Sequence, residues 1–214
     1  MKLTGNNARA YLGFCDEKNV QTTGALKAGE LYFIQKKGET TGLPANLPEG
    51  TFFRATAGVT VGKGGQFLKI EQEQLYKTSA DFSMEQGVVD IGDDKDPGAK
   101  MLDGIVDISG SVSGIFHYNE ATGKFADVTE KVIDKFLAVV REGDGNKLVY
   151  SPRDDSQVFL LLHLNADTNS QYENWLYVPI IVSSVSMSFG NTEAQTRELS
   201  WTKGEGEAVR YVRK

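Results

Sequence analysis

Hydrophobic and polar residues alternate along most of this chain, which is the pattern of β-strands that bury one face. In the segment GIVDISGSVSGIFHY, residues 104–118, the apolar residues fall on one parity and two glycines keep the phase: Val106, Ile108, Gly110, Val112, Gly114 and Phe116. The other parity carries Asp107, Ser109, Ser111 and Ser113. Exposed strand faces usually carry long charged side chains, so a face of small hydroxyls calls for an explanation.

Similar alternation recurs in many other segments, separated by turns rich in Gly, Asn and Asp. This spacing predicts a mainly β chain of the sandwich or barrel type. A second serine run lies in VPIIVSSVSMSF, where Ser184, Ser186 and Ser188 alternate with larger apolar residues. Pro179 in this segment predicts an edge, a bulge or a break, with IIVSSVSMSF as the better strand.

One segment, DVTEKVIDKFLAVVREG, predicts an α-helix because its apolar residues keep helical spacing. We expect one amphipathic helix over about residues 128–141, capped by Asp127 and flanking the sheet. The side chains expected to be buried against that sheet are Val132, Phe136 and Val140.

Residues 36–50, KKGETTGLPANLPEG, contain three glycines, two prolines and few apolar residues. They predict a long extended loop with too little apolar surface to pack on its own subunit. A second, tighter loop is predicted at residues 92–100, GDDKDPGAK.

The 214 residues favour a single domain, 1–214, and the net charge of −6 argues against a broad basic face for nucleic acid. Cys15 is the single cysteine, which excludes an intrachain disulfide. The N-terminal residues lack the pattern of a signal peptide, and no apolar run reaches the length of a membrane helix. We therefore expect a soluble product made in the cytoplasm.

The glycine-rich segment GVTVGKGGQ, residues 58–66, does not fit a phosphate-binding loop, because Lys63 is followed by Gly64 and the glycine spacing is one residue short. Glycine and serine also fail to form a G-x-S-x-G nucleophile elbow around Ser111 and Ser113. These segments favour turns and strands over catalytic loops.

The acidic run Asp90, Asp93, Asp94 and Asp96 lacks the spacing and the closing glutamate of a calcium loop. The two histidines, His117 and His163, lie in different predicted strands without a cysteine or HExxH partner. The sequence therefore predicts no enzyme, no cofactor and no metal site.

Two rival functions stay open at this point. A carbohydrate-binding or adhesin-like β-sandwich would use Trp175 and Trp201, with Tyr172 or Tyr177, as stacking residues. A hydrolase would bring Ser, His and Asp together only in the folded chain.

The order of segments resembles that of tail tube (major tail) proteins of long-tailed bacteriophages, of the non-contractile type. The resemblance spans about residues 24–214 and rests on five features in sequence. These are the strand GSVSGIFHY, one amphipathic helix, paired strands, the strand VPIIVSSVSMSF and the segment AQTRELSWTKGEG. It implies a β-sandwich-like or barrel-like subunit, six subunits to a ring, and rings stacked into a hollow tube that delivers DNA.

The resemblance also implies the partners and the location. The chain would bind other copies of itself, tail tip or initiator proteins and tail terminator proteins. A tape measure protein and then genomic DNA would occupy the lumen without specific binding. The protein would reside in the virion tail after synthesis in the bacterial host, with no membrane insertion.

Within such a tube, the two serine faces are expected to line the channel, because small hydroxyls and carboxylates would not grip phosphate as basic groups do. The expected lining residues are Asp107, Ser109, Ser111, Ser113, Ser184, Ser186 and Ser188. An outer or intersubunit face of small residues is the alternative. Assembly arms are expected in the N-terminal segment 1–23 and in the loop 36–50, where the inter-ring residues would be Gly42, Leu43, Pro44, Ala45, Asn46 and Leu47.

Overall fold

The computed structural model is mainly β, with several antiparallel sheets and one short helix in the described residues, which confirms the mainly β prediction. The structure describes residues 8–15, 20–75, 77–90, 101–115, 118–119, 124–125, 129–142, 147–153, 156–166, 171–188 and 196–213. The predicted loop at residues 92–100, with Asp93, Asp94 and Asp96, lies outside these residues, as does His117.

The described elements are mostly short strands. The first half contains β1 (Arg9–Cys15), β2 (Val20–Gln21), β3 (Gly24–Ala25), β4 (Leu31–Lys36), β5 (Thr51–Arg54), β6 (Thr60–Val61), β7 (Gln66–Lys69), β8 (Glu71–Leu75) and β9 (Lys77–Asp90). The second half contains β10 (Met101–Ile115), β11 (Tyr118–Asn119), β12 (Lys124–Phe125), α1 (Thr129–Asp134), β13 (Val139–Glu142), β14 (Leu148–Ser151), β15 (Gln157–His163), β16 (Glu173–Ser188), β17 (Thr196–Lys203) and β18 (Val209–Arg213).

The largest sheet has the antiparallel order β8-β1-β15-β16-β17-β10-β9, with β18 also paired to β16. Its two terminal strands, β8 and β9, are separated in the chain by one residue, so the sheet curls back on itself. Side chains from all around the curl meet in one interior cluster that includes Leu12, Leu160, Val178, Leu199 and Trp201. No hydrogen-bonded pair joins β8 to β9 among the described strands, so the curled sheet is not a closed barrel.

A smaller sheet, β2-β7-β4-β5, packs on the outer face of the large sheet and makes the fold a β-sandwich. The layer between the sheets is aromatic: Phe33 and Phe52 of the small sheet contact Phe159, with ring centroids 5.1 and 5.3 Å away. The far face of the small sheet holds a third apolar cluster around Tyr32 and Phe67. The small sheet is therefore buried on both faces.

Part of the N-terminal segment predicted as an assembly arm belongs to the core. Strand β1 lies between β8 and β15, and its residues alternate between the two faces of the sheet. Leu12 packs in the interior cluster and Cys15 in the layer between the sheets. Arg9–Cys15 are therefore part of the subunit core, and an assembly role for the segment 1–23 stays a prediction.

The loop predicted at residues 36–50 is present between β4 and β5, but it packs on its own subunit, contrary to expectation. Glu39 N donates to Lys63 O at 2.9 Å, and Gly50 N donates to Ile34 O at 2.7 Å. Leu43 and Leu47 are half-buried against the third cluster. Two well-placed leucines thus anchor a segment whose composition is otherwise polar.

The helix is much shorter than predicted. Helix α1 ends at Asp134, and Val139–Glu142 form strand β13, paired with β14. Of the three side chains expected to be buried, Val132 is, whereas Phe136 and Val140 are exposed. The β-branched pair Val139–Val140 favours a strand, and the Asp-Gly turn sequence after it favours a hairpin over a helix cap. No helix in the described residues is long and apolar enough to cross a bilayer.

Pro179 does not break its strand, because β16 runs without interruption from Glu173 to Ser188. The carbonyl of Pro179 accepts a hydrogen bond from Gly204 N at 2.8 Å. The missing N–H of Pro179 points to the same side, where β17 has ended and β18 has not begun. The gap between β17 and β18 lies beside Pro179, so its missing N–H faces a point where no paired strand requires a donor.

Candidate functional site: a hydroxyl face

The two serine runs predicted from sequence lie in one sheet, on either side of β17. Ser111 of β10 is directly opposite Ser200 of β17, and Ser200 is directly opposite Ser184 of β16. Directly opposite residues in paired strands share a face, so the two runs form one continuous surface.

Strand β9 extends this surface on the far side of β10, where Asp81 is opposite Ser111. We call the four-stranded surface the hydroxyl face. Its members are Ser79, Asp81, Ser83 and Glu85 of β9, Asp107, Ser109, Ser111 and Ser113 of β10, Thr196, Glu198, Ser200 and Thr202 of β17, and Ser184, Ser186 and Ser188 of β16. The structure thus places all seven sequence-predicted residues on one face.

A β-bulge brings the serines of β16 onto this face. The register between β16 and β17 shifts between Val182 and Ser184, so one extra residue enters β16 there. Val182 and Val185 then both pack against the interior cluster, although strict alternation would place them on opposite faces. The paired serines in the sequence Val-Ser-Ser-Val are the signal of this change of phase.

The reverse side of the four strands is largely apolar and buried, and it also holds the buried side chain of Arg197. Ile108, Val112, Leu199 and Trp201 all join the interior cluster. The amphipathic contrast fixes the register of these strands, because a slip of one residue would turn the serines into the core. The small residues are therefore held outward by the burial of their neighbours.

The hydroxyl face is acidic and contains no basic side chain. It has eleven Ser or Thr residues and four carboxylates, Asp81, Glu85, Asp107 and Glu198. None of the fifteen is buried, and Ser111 Oγ lies 3.4 Å from Asp81 Oδ2. Apolar residues enter only at the margins, where Ile181 and Ile115 are opposite Thr202 and Thr196.

The contributions of β9 and β17 to this face were not predicted from the sequence. Both strands carry alternation that could have been used, in KTSADFSMEQ and in TRELSWT. Alternation alone does not give the strand order. In the sheet β17 lies between β10 and β16, although it follows both in the chain.

The residues considered for glycan stacking do not form a platform. Trp175, Trp201 and Tyr177 are buried, and only Tyr172 is exposed. His163, considered as a metal ligand, stacks on Trp175 with ring centroids 4.2 Å apart, on a strand outside the hydroxyl face. Among the residues that the structure describes, no group of three His, Cys, Asp or Glu side chains could hold a metal ion.

The residues predicted to contact a neighbouring ring lie at the tip of the β4–β5 loop. Leu43 and Leu47 are half-buried, whereas the intervening Pro44, Ala45 and Asn46 are exposed. Gly42 has a φ of 78°, and its backbone lies close to Gly58. Contact of this tip with another subunit stays a prediction.

No protein-family model and no curated protein matches this sequence. Among solved structures, the chain is similar to a chain from the virion of a native gene transfer agent (GTA) particle. The two are 11% identical with a TM-score of 0.39, over 64% of this chain and 85% of that chain. A likeness this distant carries no conclusion about what this chain does.

Proposed function

We propose that this chain is a structural virion protein, the subunit of a phage tail tube that self-assembles into stacked hexameric rings. The hydroxyl face lines the bore, through which DNA passes to the host. The observation that carries this proposal is a four-stranded surface of hydroxyls and carboxylates without a single Lys or Arg.

The charge of the hydroxyl face suits a conduit for DNA. Each Lys or Arg that contacts a phosphate releases counterions and thereby favours binding. A lining of hydroxyls and carboxylates gives no such gain, so the strand slides without being held. The same surface accommodates a tape measure protein before DNA enters, and initiator and terminator proteins contact the ends of the tube.

The edges of the four-stranded surface suit assembly into a ring. On one side β9 ends the hydrogen-bonded order, and on the other the segment 181–188 of β16 extends beyond β15. Unpaired strand edges are templates for pairing with another chain. Pairing β16 of one copy with β9 of the next is a head-to-tail contact, and such contacts close into rings.

The size of such a ring fits its purpose. Six copies supply about 24 strands, which at about 4.8 Å per strand and the usual tilt enclose a bore of roughly 45 Å between backbones. Small side chains on the wall keep most of this width open, so a DNA duplex fits inside.

Electron microscopy of the purified protein at high concentration tests the assembly. Tubes or six-fold rings are expected. A protein that stays monomeric at all concentrations would refute self-assembly of the isolated chain.

Thiol labelling of assembled tubes tests the position of the hydroxyl face. Cysteine is introduced at Ser111 or Ser186, with Ala57→Cys, on an exposed turn of the small sheet, as the outer control. A small reagent that enters the bore should label Ser111→Cys and Ser186→Cys, a bulky one only slowly, and both should label the control rapidly. Rapid labelling of Ser111→Cys by both reagents would place the face outside, and labelling by neither would place it in an interface.

A further inference from the structure

The segment from Val132 to Val140 carries an apolar stripe of helical spacing, most of which is exposed. Val132, Phe136 and Val140 are spaced by four residues, so a helix through the whole segment would place them on one face, with Ile133 and Leu137 beside them. Val132 is buried in the interior cluster. Phe136, Leu137 and Val140 have exposed fractions of 39%, 58% and 56%. A helical pattern thus continues into residues that are exposed and, from Val139 onward, form a strand.

Very little backbone separates the end of helical hydrogen bonding from the start of β13. Leu137 N donates to Ile133 O at 3.0 Å, which is the i to i+4 bond of an α-helix, beyond the end of α1 at Asp134. Ala138 is then the last residue before β13 begins at Val139. Helix α1 can therefore lengthen without any change in the residues that precede it.

The hairpin that holds β13 has little support from its own subunit. Among the described strands, β13 and β14 pair only with each other, and all four residues of β14 are exposed. A lone two-stranded hairpin is marginally stable in water. A modest gain elsewhere is therefore enough to release Val139–Glu142 from the strand.

The contacts of α1 show the direction in which it crosses the large sheet. Lys131 pairs with Glu73 of β8, and its ammonium lies over the ring of Phe14 of β1, 5.3 Å from the centroid. One turn later, Lys135 Nζ donates to the carbonyl of Ser156, just before β15. The helix therefore runs from β8 over β1 towards β15, and β16 is the next strand in that order.

The part of β16 that extends beyond β15, residues 181–188, has an apolar surface on the side opposite the hydroxyl face. Val182, Val185 and Met187 lie on this side and are only half-buried. A helix extended over residues 135–141 would be about 10 Å longer than α1, which is roughly two strand spacings. The extension is long enough to cover this part of β16.

We propose that residues 135–141 become an extension of α1, at the expense of the β13–β14 hairpin, when β16 pairs with β9 of the next copy. The proposal rests on the tube function and assigns to this segment a change of conformation that accompanies ring formation. Phe136 and Val140 then continue the line of Val132 and pack on the apolar side of β16.

Pairing between copies supplies the free energy for this change. In the ring, the hydroxyl face of the next copy's β9 continues that of β16, so the reverse sides of the two strands are continuous as well. Ala80, Phe82 and Met84 lie on that reverse side of β9, opposite Val112, Gly110 and Ile108 of β10. A partner shifts an equilibrium only through its preference for one state. The enlarged apolar surface gives that preference to the helix, whose stripe it covers.

A disulfide that locks the hairpin tests whether it must open. Val140 and Tyr150 are directly opposite each other, so Val140→Cys/Tyr150→Cys can be oxidised within the hairpin. Oxidation should lower the yield of assembled protein roughly tenfold or more, and reduction should restore it, because the lock excludes the helical state. Ala25→Cys/Thr60→Cys, directly opposite and exposed in the β3–β6 pair, is the control whose oxidation should leave the yield unchanged. Native Cys15 is buried and takes no part in either disulfide.

An intramolecular bridge reports the helix itself. Ala138 and Glu142 are both exposed. Their Cα atoms would be about 6 Å apart in the extended helix and about 13 Å apart along a strand. Ala138→Cys/Glu142→Cys is treated with a bifunctional thiol reagent that is short enough to join only the closer pair. We expect the bridge in assembled protein and not in the dilute subunit.

The outcomes separate this proposal from the tube function. Tubes without the bridge, or tubes from oxidised Val140→Cys/Tyr150→Cys, would overturn the helical extension and leave the tube function standing. A bridge in the dilute subunit would overturn its coupling to assembly. A bridge that forms only in particles other than tubes would support the extension and overturn the tube. No association of the wild type at any concentration would overturn both.

Discussion

Gly110 of β10 and Trp201 of β17 are directly opposite each other, and the indole occupies the space that a side chain at position 110 would need. A Cβ at Gly110 would lie 2.7 Å from Trp201 Cζ2 and closer still to the carbonyl oxygen of Asp81. Trp201 is 1% exposed, so it cannot move aside into solvent. On the core side of β10, the absence of a side chain at Gly110 thus leaves room for the large indole of Trp201.

Gly110→Ala is therefore expected to destabilise the fold by about 1–3 kcal/mol through overpacking. Ser111→Ala, one residue away on the hydroxyl face, should change the free energy of unfolding by less than about 0.5 kcal/mol. Urea unfolding of both variants measures the contrast. Equal stabilities would mean that the packing of Trp201 on Gly110 is wrong.

Truncating Val132, in α1, should destabilise the protein more than truncating the larger Phe136, just after α1. Val132 is buried in the interior cluster, so Val132→Ala should cost about 1.5–3 kcal/mol. Phe136 is 39% exposed, so Phe136→Ala should cost less than about 1 kcal/mol. Thermal unfolding measures both losses of stability. A larger loss for Phe136→Ala would mean that Phe136 is buried, as the longer helix predicted from the sequence requires.

Gly42 holds the β4–β5 loop against the turn at Gly58. Its φ is 78°, and a Cβ would lie 2.6 Å from Gly58 O. Gly24 has a φ of 85° with nothing within 4 Å of such a Cβ, so it is a matched control. Gly24→Ala should cost about 1–2 kcal/mol for the backbone conformation alone, and Gly42→Ala about 1–3 kcal/mol more. Equal losses in chemical denaturation would mean that the loop tip is free of the body.

Cys15 gives a stability difference that depends on pH. Burial, with a smaller contribution from the negative charge of Glu71, raises the pKa of the Cys15 thiol from 9.0 to about 12. The folded protein keeps this proton at pH values where the unfolded chain releases it, so the thiol's contribution is complete below about pH 9 and is lost as the pH rises towards 12. The slope is at most about 1.4 kcal/mol per pH unit.

The measurement is the difference in free energy of unfolding between the wild type and Cys15→Ala across this range, which cancels the titration of tyrosines and lysines. As the pH rises through this range, the wild type should lose stability relative to Cys15→Ala. A constant difference would place the thiol in contact with water.

The sequence by itself determined the class of fold and the amphipathic character of the strands. Alternation over residues 107–113 and at Ser184, Ser186 and Ser188 correctly separated the polar from the apolar side of β10 and β16. Such alternation can be read without knowing the strand order, because adjacent residues of a regular strand point to opposite faces. Composition likewise predicted the position of the β4–β5 loop.

Tertiary structure decided how these pieces combine. Helical spacing was correct for α1, but pairing with β14 turned Val139–Glu142 into a strand, because a local preference yields where strands can pair. The hydroxyl face exists only because β17, last of the four strands in sequence, lies between β10 and β16, and because a bulge at Val182–Ser184 corrects the phase. Strand order depends on contacts between residues far apart in the chain, which no local pattern of hydrophobic and polar residues encodes.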